Sequence, residues 1–355
     1  MNRGLADIFL EWYADNRRDL PWRSSRDPYL VWLSEIILQQ TRVSQGLSYY
    51  NRFAGEYPTV FHLARASEPE VLKCWQGLGY YSRARNLYKT SKLVVEKYLG
   101  QFPSTSAELV KLPGIGKYTA AAIASIAFGE AVPVIDGNVI RVISRLFGVT
   151  GDARSPSVYH LINDTMKELM GNHPPGLFNQ AVMEFGALQC TPLSPGCREC
   201  PLQLHCYAFD RQMVEQLPVK PSKPVVSIRY FNYLVITFTG NGVETILLNK
   251  RTGRDIWHNL YDFPSVENDR LINPKELAAS AEARELLGND WTLLHVAGPV
   301  AHLLTHRKII ARFFRIHADY ETPSMKRYRY VRIQDIRELP LPRLIEKYVG
   351  NHFPD

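Results

Sequence analysis

The chain contains little cysteine and no hydrophobic stretch long enough to cross a membrane. Five cysteines in 355 residues cannot form the disulfide framework of a small secreted protein, and four of the five fall between residues 190 and 206. No apolar run approaches the roughly 20 residues that a membrane helix needs. The amphipathic N-terminus carries acidic residues and lacks a signal-peptide core. We therefore expect an intracellular, cytoplasmic protein that has no membrane partner.

Repeats and low-complexity blocks are also absent, and the composition is that of a folded, basic protein. Hydrophobic residues make up 45% of the chain, and 355 residues suffice for two or three domains. The net charge of +7 and the pI of about 9.1 favour polyanionic partners. A polar, proline-rich segment at 219–224 predicts a linker between a mainly helical first part and a second part of mixed structure.

Two glycines form a tight turn near the middle of the first part. Gly114 and Gly116 precede an Ala/Ile-rich run at 119–128 that predicts a buried helix. A Gly-x-Gly turn that opens a helix exposes backbone N–H groups, so it suits a phosphate oxygen, and its carbonyl groups suit a cation. The same pattern also occurs in ordinary helix connections.

Two carboxylates lie in unusual places. Glu35 falls inside an apolar helix predicted to begin at Pro28, where burial would raise its pKa and make it a general acid. Pairing with a polar group of the core is the alternative. Asp136 follows an apolar segment and precedes a helix predicted from Val139. A carboxylate there could stabilise positive charge on a sugar whose phosphate is bound by the Gly-x-Gly turn. A residue that only caps the helix gives the same sequence pattern.

Four cysteines could bind a single metal centre. Their spacing leaves six, two and five residues between Cys190, Cys197, Cys200 and Cys206. Four thiolates this close suit either zinc or an iron–sulfur cluster.

The part after the linker is predicted to be an α+β domain. Alternating or continuous apolar residues rich in β-branched types predict strands at 230–239, 244–251 and 309–316. Gly240-Asn241-Gly242 is typical of a hairpin between the first two strands. Helical patterns occur near 274–287 and 342–349.

These motifs resemble those of the helix-hairpin-helix DNA glycosylase superfamily in its endonuclease III branch. Within that branch the chain is most similar to adenine DNA glycosylases of the MutY type. The matching stretches are SEIILQQT (34–41), WQGLGYYSRARNL (75–87), LPGIGKYTA (112–120) and VIDGNVIRV (134–142). The cysteine spacing is the endonuclease III pattern for a [4Fe–4S] cluster, so the resemblance favours that cluster over zinc.

The resemblance implies a mainly α N-terminal helix-hairpin-helix fold with an iron–sulfur loop, followed by an α+β Nudix-like domain. The implied divisions are a glycosylase domain at 1–218, made of a six-helix module at about 28–133 and a cluster module at 1–27 plus 134–218, a linker at 219–224, and a Nudix-like 8-oxoguanine recognition domain at 225–355. The Nudix hydrolase box needs a run of glutamates that bind Mg²⁺, and Glu282-Ala283-Arg284-Glu285 does not supply it. We therefore expect no pyrophosphate hydrolysis.

The implied reaction is excision of adenine mispaired with 8-oxoguanine, and also with guanine, in double-stranded DNA. The base must leave the stack to be reached. Glu35 would protonate the adenine ring at N7, and Asp136 would stabilise the oxocarbenium-like sugar. Tyr118 and Asn138 would line or order the pocket. We expect a monomer associated with the nucleoid.

Further roles follow from the resemblance and from residue types. The residues assigned to the adenine are Arg18, Leu20, Trp22 and Gln180; those assigned to the DNA stack are Gln40, Leu78 and Tyr80; those assigned to the DNA backbone are Gly114, Gly116, Lys117, Arg83 and Arg85, with a monovalent or divalent cation at the hairpin turn; and those assigned to the lesion are Leu304, Thr305 and His306, where the family has Phe-Ser-His.

Three alternatives remain at this point. A bifunctional glycosylase/lyase has a Schiff-base lysine where this chain has Tyr118, and Lys117 lies one position earlier. A G·T mismatch glycosylase normally lacks a domain such as 225–355. A non-catalytic, metal-containing DNA-binding protein would need neither Glu35 nor Asp136.

Overall fold

The computed structural model describes residues 4–152, 155–219, 227–240, 243–253, 255–288, 290–304 and 307–353. By internal contacts the chain divides into two compact units, residues 1–67 with 82–222 and residues 68–81 with 223–355. The segment 68–81 therefore groups with the C-terminal unit, which the sequence did not indicate. The predicted modules within 1–218 stay a prediction.

Helices make up most of the first unit, and three more lie in the C-terminal part of the chain. In chain order the described helices are α1 (Leu5–Asn16), α2 (Pro28–Leu38), α3 (Val43–Glu56), α4 (Val60–Arg65), α5 (Glu68–Cys74), α6 (Ser82–Tyr98), α7 (Ser106–Leu109), α8 (Lys117–Phe128), α9 (Gly137–Phe147), α10 (Pro156–Met170), α11 (Pro175–Leu188), α12 (Tyr207–Asp210), α13 (Pro274–Ala279), α14 (Ala281–Leu287) and α15 (Arg343–His352). No helix among the described residues is long and apolar enough to span a bilayer.

Local sequence signals explain where the helices of the site begin. The Asp27 carboxylate accepts a hydrogen bond from the Tyr29 N–H, and Pro28 occupies the first turn of α2. The Asp136 carboxylate caps α9 in the same way through the Val139 N–H. Helix α8 begins at Lys117, two residues before the predicted start, because Gly116 is its N-cap.

The core of the first unit lies between α1, α9, α10 and α11. Phe9 of α1 packs edge-on against Phe178 and Phe185 of α11, with ring centroids 6.4 and 5.0 Å apart. All three rings are buried, and burying each contributes roughly 2 to 3 kcal/mol. Helix α11 is thereby fixed against α1 and α9, which holds the side chains on its other face in place.

Two glycines bring α11 into backbone contact with its neighbours. A Cβ atom on Gly186 would lie 2.7 Å from Cβ and 2.9 Å from the carbonyl oxygen of Asn138 at the start of α9. A Cβ atom on Gly176 would lie 2.7 Å from Cα of Ile126 and 2.8 Å from the carbonyl oxygen of Ser125, both on α8. No side chain separates the helices at these points.

The second unit contains a mixed sheet. Its described strands are β1 (Ser227–Gly240), β2 (Val243–Lys250), β3 (Tyr261–Asp262), β4 (Ser265–Asn268), β5 (Trp291–Leu303), β6 (Arg307–Ala318) and β7 (Arg329–Arg332). The order is β3-β2-β1-β6-β5, with β4 paired to β1 and β7 paired to β2. The β1–β6 pair is parallel, and the other pairs are antiparallel.

The predicted α+β character of this part is confirmed, with differences in detail. The helical pattern near 274–287 forms two helices, because the Ser280 hydroxyl accepts from the Ala283 N–H and starts a new one. Strands β3, β4, β5 and β7 were not predicted. Strands β3, β4 and β7 are only 2, 4 and 4 residues long, and the apolar residues of β5 follow no clean alternation. Residues 241 and 242 of the predicted hairpin turn lie outside the described residues. The core on one face of the sheet includes Phe313 stacked on Tyr348 of α15, 4.1 Å between centroids.

Candidate active site

A cavity of about 210 Å³ in the first unit brings together the predicted catalytic residues and the predicted adenine contacts. Among the described residues its wall includes Arg18, Leu20, Trp22, Glu35, Tyr118, Asp136, Asn138 and Gln180. Helices α2, α8, α9 and α11 and the segment between α1 and α2 supply them. Residues far apart in the sequence thus meet around one small space.

Glu35 is partly buried at the wall of this cavity. Burial raises its pKa from 4.5 to about 7, and the negative charge of Asp136 adds to the rise. The hydroxyl of Tyr118 donates a hydrogen bond to the carboxylate, which opposes the rise. At neutral pH a large share of Glu35 therefore carries a proton that it can give away.

Tyr118 lies on α8 beside both carboxylates. Burial raises its pKa well above 10, and the charges of Glu35 and Asp136 raise it further. The phenol therefore stays neutral and acts as a hydrogen-bond donor. It supplies no amine at this place.

Asp136 is held by its own helix. Its carboxylate accepts from the Val139 N–H at 2.7 Å and from Nδ2 of Asn138 at 2.7 Å. Burial raises the pKa of Asp136, and these hydrogen bonds offset part of the rise. The predicted cap is confirmed, because one oxygen caps α9, and the residue also lines the cavity. Its catalytic role stays a prediction.

Arg141 connects this carboxylate pair to the cysteine segment. Its guanidinium donates to Oδ1 of Asn138 at 2.8 Å, to the carbonyl oxygen of Gly186 at 2.7 Å and to that of Cys190 at 2.8 Å. The side chain is 8% exposed. The sequence did not single out Arg141, because its three partners lie on three different segments.

A buried ion-pair cluster forms another part of the wall. Glu184 of α11 is 1% exposed and receives Nε and NH2 of Arg18 at 2.8 and 2.6 Å and two nitrogens of Arg23 at 2.8 and 2.5 Å. Burial alone would raise the pKa of Glu184, but the hydrogen bonds from the two arginines lower it to about 2. Arg18, a predicted adenine contact, is therefore fixed by Glu184.

The remaining predicted base contacts lie in the same wall. Leu20 and Trp22 are 6% and 8% exposed, and the Trp22 ring meets Tyr50 edge-on at 5.0 Å. Gln180 of α11 accepts a hydrogen bond at Oε1 from the hydroxyl of Tyr13, 2.9 Å away.

The Gly-x-Gly turn lies next to this cavity. A second depression of about 450 Å³ is lined by Gln40, Gly116 and Lys117 and shares Glu35 and Asp136 with the cavity. Gly114, at the start of the turn, has a φ of +77°. A Cβ atom on Gly116 would meet nothing within 4 Å, so the backbone there is open to a ligand. Gln40 is exposed and has a φ of +54° directly after α2.

Two predicted DNA contacts are buried in the structure. Arg83 is 8% exposed, and its guanidinium donates to the carbonyl oxygens of Ile36 at 3.0 Å, Ile37 at 2.9 Å and Gln39. It caps the C-terminal end of α2 in this position, which leaves little of the guanidinium accessible to a phosphate. Leu78 is 6% exposed, so a wedge role would require it to leave its packed position. Tyr80, by contrast, is 46% exposed with a φ of +49°.

Arg85, half-buried on α6, stays a predicted backbone contact. Leu304 is partly buried, and its N–H donates to the carbonyl oxygen of Arg307 at 2.8 Å. The predicted lesion residues Thr305 and His306 lie outside the described residues.

The four clustered cysteines are close enough to influence one another's charge. Burial raises the pKa of Cys197, Cys200 and Cys206, that of Cys200 to about 11, and the neighbouring thiols raise each further. Thiols whose pKa is raised in this way need a positive centre nearby to become thiolates. Within the described residues, no three His, Cys, Asp or Glu side chains are arranged to bind a single metal ion.

Comparison with known proteins agrees with this geometry. Residues 33–168 match the family model of the HhH-GPD superfamily of base excision DNA repair proteins, and residues 234–351 match that of the NUDIX domain. A thermostable thymine-DNA glycosylase superposes with a TM-score of 0.53 at 29% identity, over 58% of this chain and 95% of that one. Endonuclease III trapped in a covalent intermediate with DNA gives 0.51 at 25% identity, over 59% and 95%. The first unit thus has the helix-hairpin-helix glycosylase fold.

Relatives that align along both units narrow the assignment. The adenine DNA glycosylase of Buchnera aphidicola subsp. Acyrthosiphon pisum (strain APS) is 31% identical over 98% of this chain and 97% of its own. That of Homo sapiens is 46% identical over 88% and 67%. The chain belongs to the adenine DNA glycosylase family.

Proposed function

We propose that this protein is a monofunctional DNA glycosylase that excises adenine mispaired with 8-oxoguanine, or with guanine, in double-stranded DNA. The observation that carries the proposal is the pair of carboxylates in one cavity. Glu35 holds a proton near neutral pH, while Asp136 lies beside it among hydrogen-bond donors. Because their environments differ in this way, Glu35 can act as an acid and Asp136 as an anion on the same glycosidic bond.

The reaction begins with a base that has left the stack and entered the cavity. Glu35 protonates the adenine, at N7 by analogy with the family, and the base becomes a better leaving group. Positive charge then develops on the sugar, and the Asp136 carboxylate stabilises it. The bond between C1′ and N9 breaks as adenine leaves, and water then attacks C1′ to give an abasic site. The proton that the water loses restores the acid form of Glu35.

Tyr118 supports hydrolysis without strand cleavage. A lyase needs an amine that forms a Schiff base, and Tyr118 occupies the place of that amine in the lyase branch. Lys117 is exposed on the turn. Borohydride should therefore trap little enzyme on DNA during turnover, and the strand should stay intact until alkali or heat is applied. Trapping of most of the enzyme would contradict the monofunctional assignment.

A [4Fe–4S] cluster held by Cys190, Cys197, Cys200 and Cys206 fits the thiol set. A single zinc ion needs four sulfurs about 2.3 Å from one point, whereas each iron of a cluster can take one thiolate. The cluster's contribution is structural, because metal binding and folding are coupled. The open backbone at Gly116, which follows the tight turn at Gly114, suits a DNA phosphate, with a monovalent or divalent cation on the turn carbonyls.

The remaining DNA contacts follow from exposure and from the family pattern. Gln40 and Tyr80, both exposed at positive φ, are suited to enter the stack around the extruded base. Leu304, Thr305 and His306 read the lesion on the opposite strand.

Base release from defined duplexes tests the proposal. Single-turnover rates on A·8-oxoguanine, A·G, G·T and fully paired DNA should show release of adenine from the first two only. Glu35→Gln and Asp136→Asn should each slow release by about 10²-fold or more, while mismatch binding persists. Glu108→Gln, which changes an exposed glutamate on α7, is the matched control. Thymine release, or adenine release at the wild-type rate by Glu35→Gln, would refute the proposal.

A further inference from the structure

One guanidinium group holds both sides of the turn that directly follows α2. Arg83 of α6 is buried, and it donates from Nη1 to the carbonyl oxygen of Gln39 and from Nη2 to the hydroxyl oxygen of Thr41 at 3.3 Å. Its Nη1 also lies 3.0 and 2.9 Å from two other carbonyl oxygens near the end of α2. The residue between the two flanking partners is Gln40. Arg83 therefore connects the end of α2 with the residues on either side of Gln40.

Gln40 has a backbone conformation that a glutamine rarely adopts. Its φ is +54°, in the left-handed region, and the residue is exposed. A residue with a Cβ atom is disfavoured there, because Cβ comes too close to the following carbonyl oxygen. Such a conformation persists only where the surrounding structure holds it in place. The contacts of the residues that flank Gln40 therefore determine how this turn presents the Gln40 side chain.

Hydrogen bonds from two other helices fix the flanking residues themselves. Nε2 of Gln39 donates to the hydroxyl oxygen of Thr119 on α8 at 3.0 Å. The N–H of Thr41 donates to the carbonyl oxygen of Leu38 at 3.0 Å, and its hydroxyl donates to that of Gln39 at 3.3 Å. Arg83 adds a contact from α6, and its planar group of donors gives the hydrogen bonds a fixed direction. Helices α2, α6 and α8 thus meet at the turn that carries Gln40.

We propose that Arg83 is a positioning residue, which holds the turn at 39–41 in its strained form so that Gln40 is ready to enter the DNA stack. The inference rests on the proposed function for the role of Gln40. Extrusion of a base costs unstacking energy, and a side chain that fills the space offsets part of this cost. A side chain that is already oriented loses less conformational freedom when it enters the stack. Arg83 thus assists base extrusion through Gln40, without touching the DNA.

The test measures base extrusion separately from bond cleavage, with the full-length protein. The probe is an A·8-oxoguanine duplex with 2-aminopurine beside the target adenine, because the fluorescence of 2-aminopurine rises when its neighbour leaves the stack. A fluorine at C2′ of the target nucleotide disfavours positive charge on the sugar and so prevents cleavage. The variants are Arg83→Lys, Arg83→Met, Gln40→Ala and each Arg83 variant combined with Gln40→Ala. Arg65→Lys, which changes an exposed arginine at the end of α4, is the matched control.

Arg83→Lys keeps the positive charge but loses the planar group that holds both flanks of Gln40, and Arg83→Met loses every donor. The equilibrium constant for base extrusion should fall by about five- to thirtyfold, which corresponds to the cost of a left-handed residue. Single-turnover release of adenine from an unmodified A·8-oxoguanine duplex, at saturating enzyme, should fall in parallel. In the Gln40→Ala background, neither Arg83 variant should lower extrusion further. Arg65→Lys should behave as wild type.

Three outcomes would overturn the inference. Unchanged extrusion in Arg83→Lys and Arg83→Met would show that other contacts hold the turn. An equal loss with and without the Gln40 side chain would mean that Arg83 only supports the fold. A weaker salt dependence of DNA binding in Arg83→Met would make Arg83 a phosphate contact instead. A wild-type protein that neither extrudes nor releases adenine would overturn the proposed function itself, whereas normal extrusion by both the wild type and the Arg83 variants refutes only the role of Arg83.

Discussion

Raising the pH above 7 should slow base release, because it removes the proton that Glu35 donates. Burial holds the pKa of this carboxyl at about 7 instead of 4.5, which corresponds to about 3 kcal/mol against the ionised form. The acid form therefore dominates below pH 7 and is lost above it. One pH unit above the pKa, the rate should be roughly tenfold below its plateau, and two units above, about a hundredfold.

At low pH, protonation of Asp136 should limit the rate of base release. This residue must be ionised to stabilise the sugar cation, and burial raises its pKa. The rate should therefore fall again at low pH, giving a bell-shaped profile. Because the two carboxylates interact, the apparent pKa values of the two limbs belong to the pair and not to either residue alone.

Tyr118→Phe isolates one cause of the Glu35 pKa. The Tyr118 hydrogen bond stabilises the carboxylate form, so its removal should raise the pKa of Glu35 further and move the alkaline limb to higher pH. The measurement is single-turnover excision of adenine from an A·8-oxoguanine duplex between pH 5 and 9, at saturating enzyme. A flat profile from pH 6 to 9, or a limb that moves to lower pH in Tyr118→Phe, would refute this reasoning.

Three other predictions concern Arg83 at the end of α2, the iron–sulfur cluster and the recognition of 8-oxoguanine. Arg83→Ala should lower the free energy of unfolding by about 3 kcal/mol in urea titrations, because it leaves carbonyl groups at the end of α2 unpaired, while the salt dependence of DNA binding stays unchanged. The purified protein should be brown with broad absorbance near roughly 400 nm, and Cys200→Ser should lose that colour and fold poorly; stoichiometric zinc without iron after anaerobic purification would count against the cluster. Thr305→Ala with His306→Ala should reduce the preference for 8-oxoguanine over guanine opposite adenine by about five- to thirtyfold, from one or two hydrogen bonds, with little change on A·G; equal losses on both would place lesion reading elsewhere.

Local sequence signals predicted the parts of the site that have a local cause. Asp136 was recognisable because a carboxylate before a helix start has a defined capping geometry. Glu35 was recognisable because an acid in an apolar helix is uncommon. Glu184 carries that same signal within FNQAVMEFGAL, yet its role depends on Arg18 and Arg23, which lie 166 and 161 positions away.

The burial of two predicted DNA contacts also has a physical origin. Arg83 was assigned to the DNA backbone because it follows the glycine-rich aromatic segment that the resemblance places at the DNA. Its burial results from the end of α2, about 45 residues earlier in the chain, where carbonyl groups need donors. Leu78 and Tyr80 share one glycine-rich segment, and only the positive φ of Tyr80 and the packing of Leu78 distinguish them.

The glycine contacts of α11 have a consequence for changing what the cavity accepts. Gly186 places α11 directly against the backbone of α9, and Gly176 places it against α8. The spacing between the wall that holds Gln180 and the wall that holds Asp136 is thus set by main-chain atoms. A larger residue at either glycine would collide with the facing helix and push the two helices apart. The gap therefore cannot be widened in small steps by substitution at these positions. An engineered variant that takes a larger base should therefore come from shortening side chains on the cavity wall, with both glycines left unchanged.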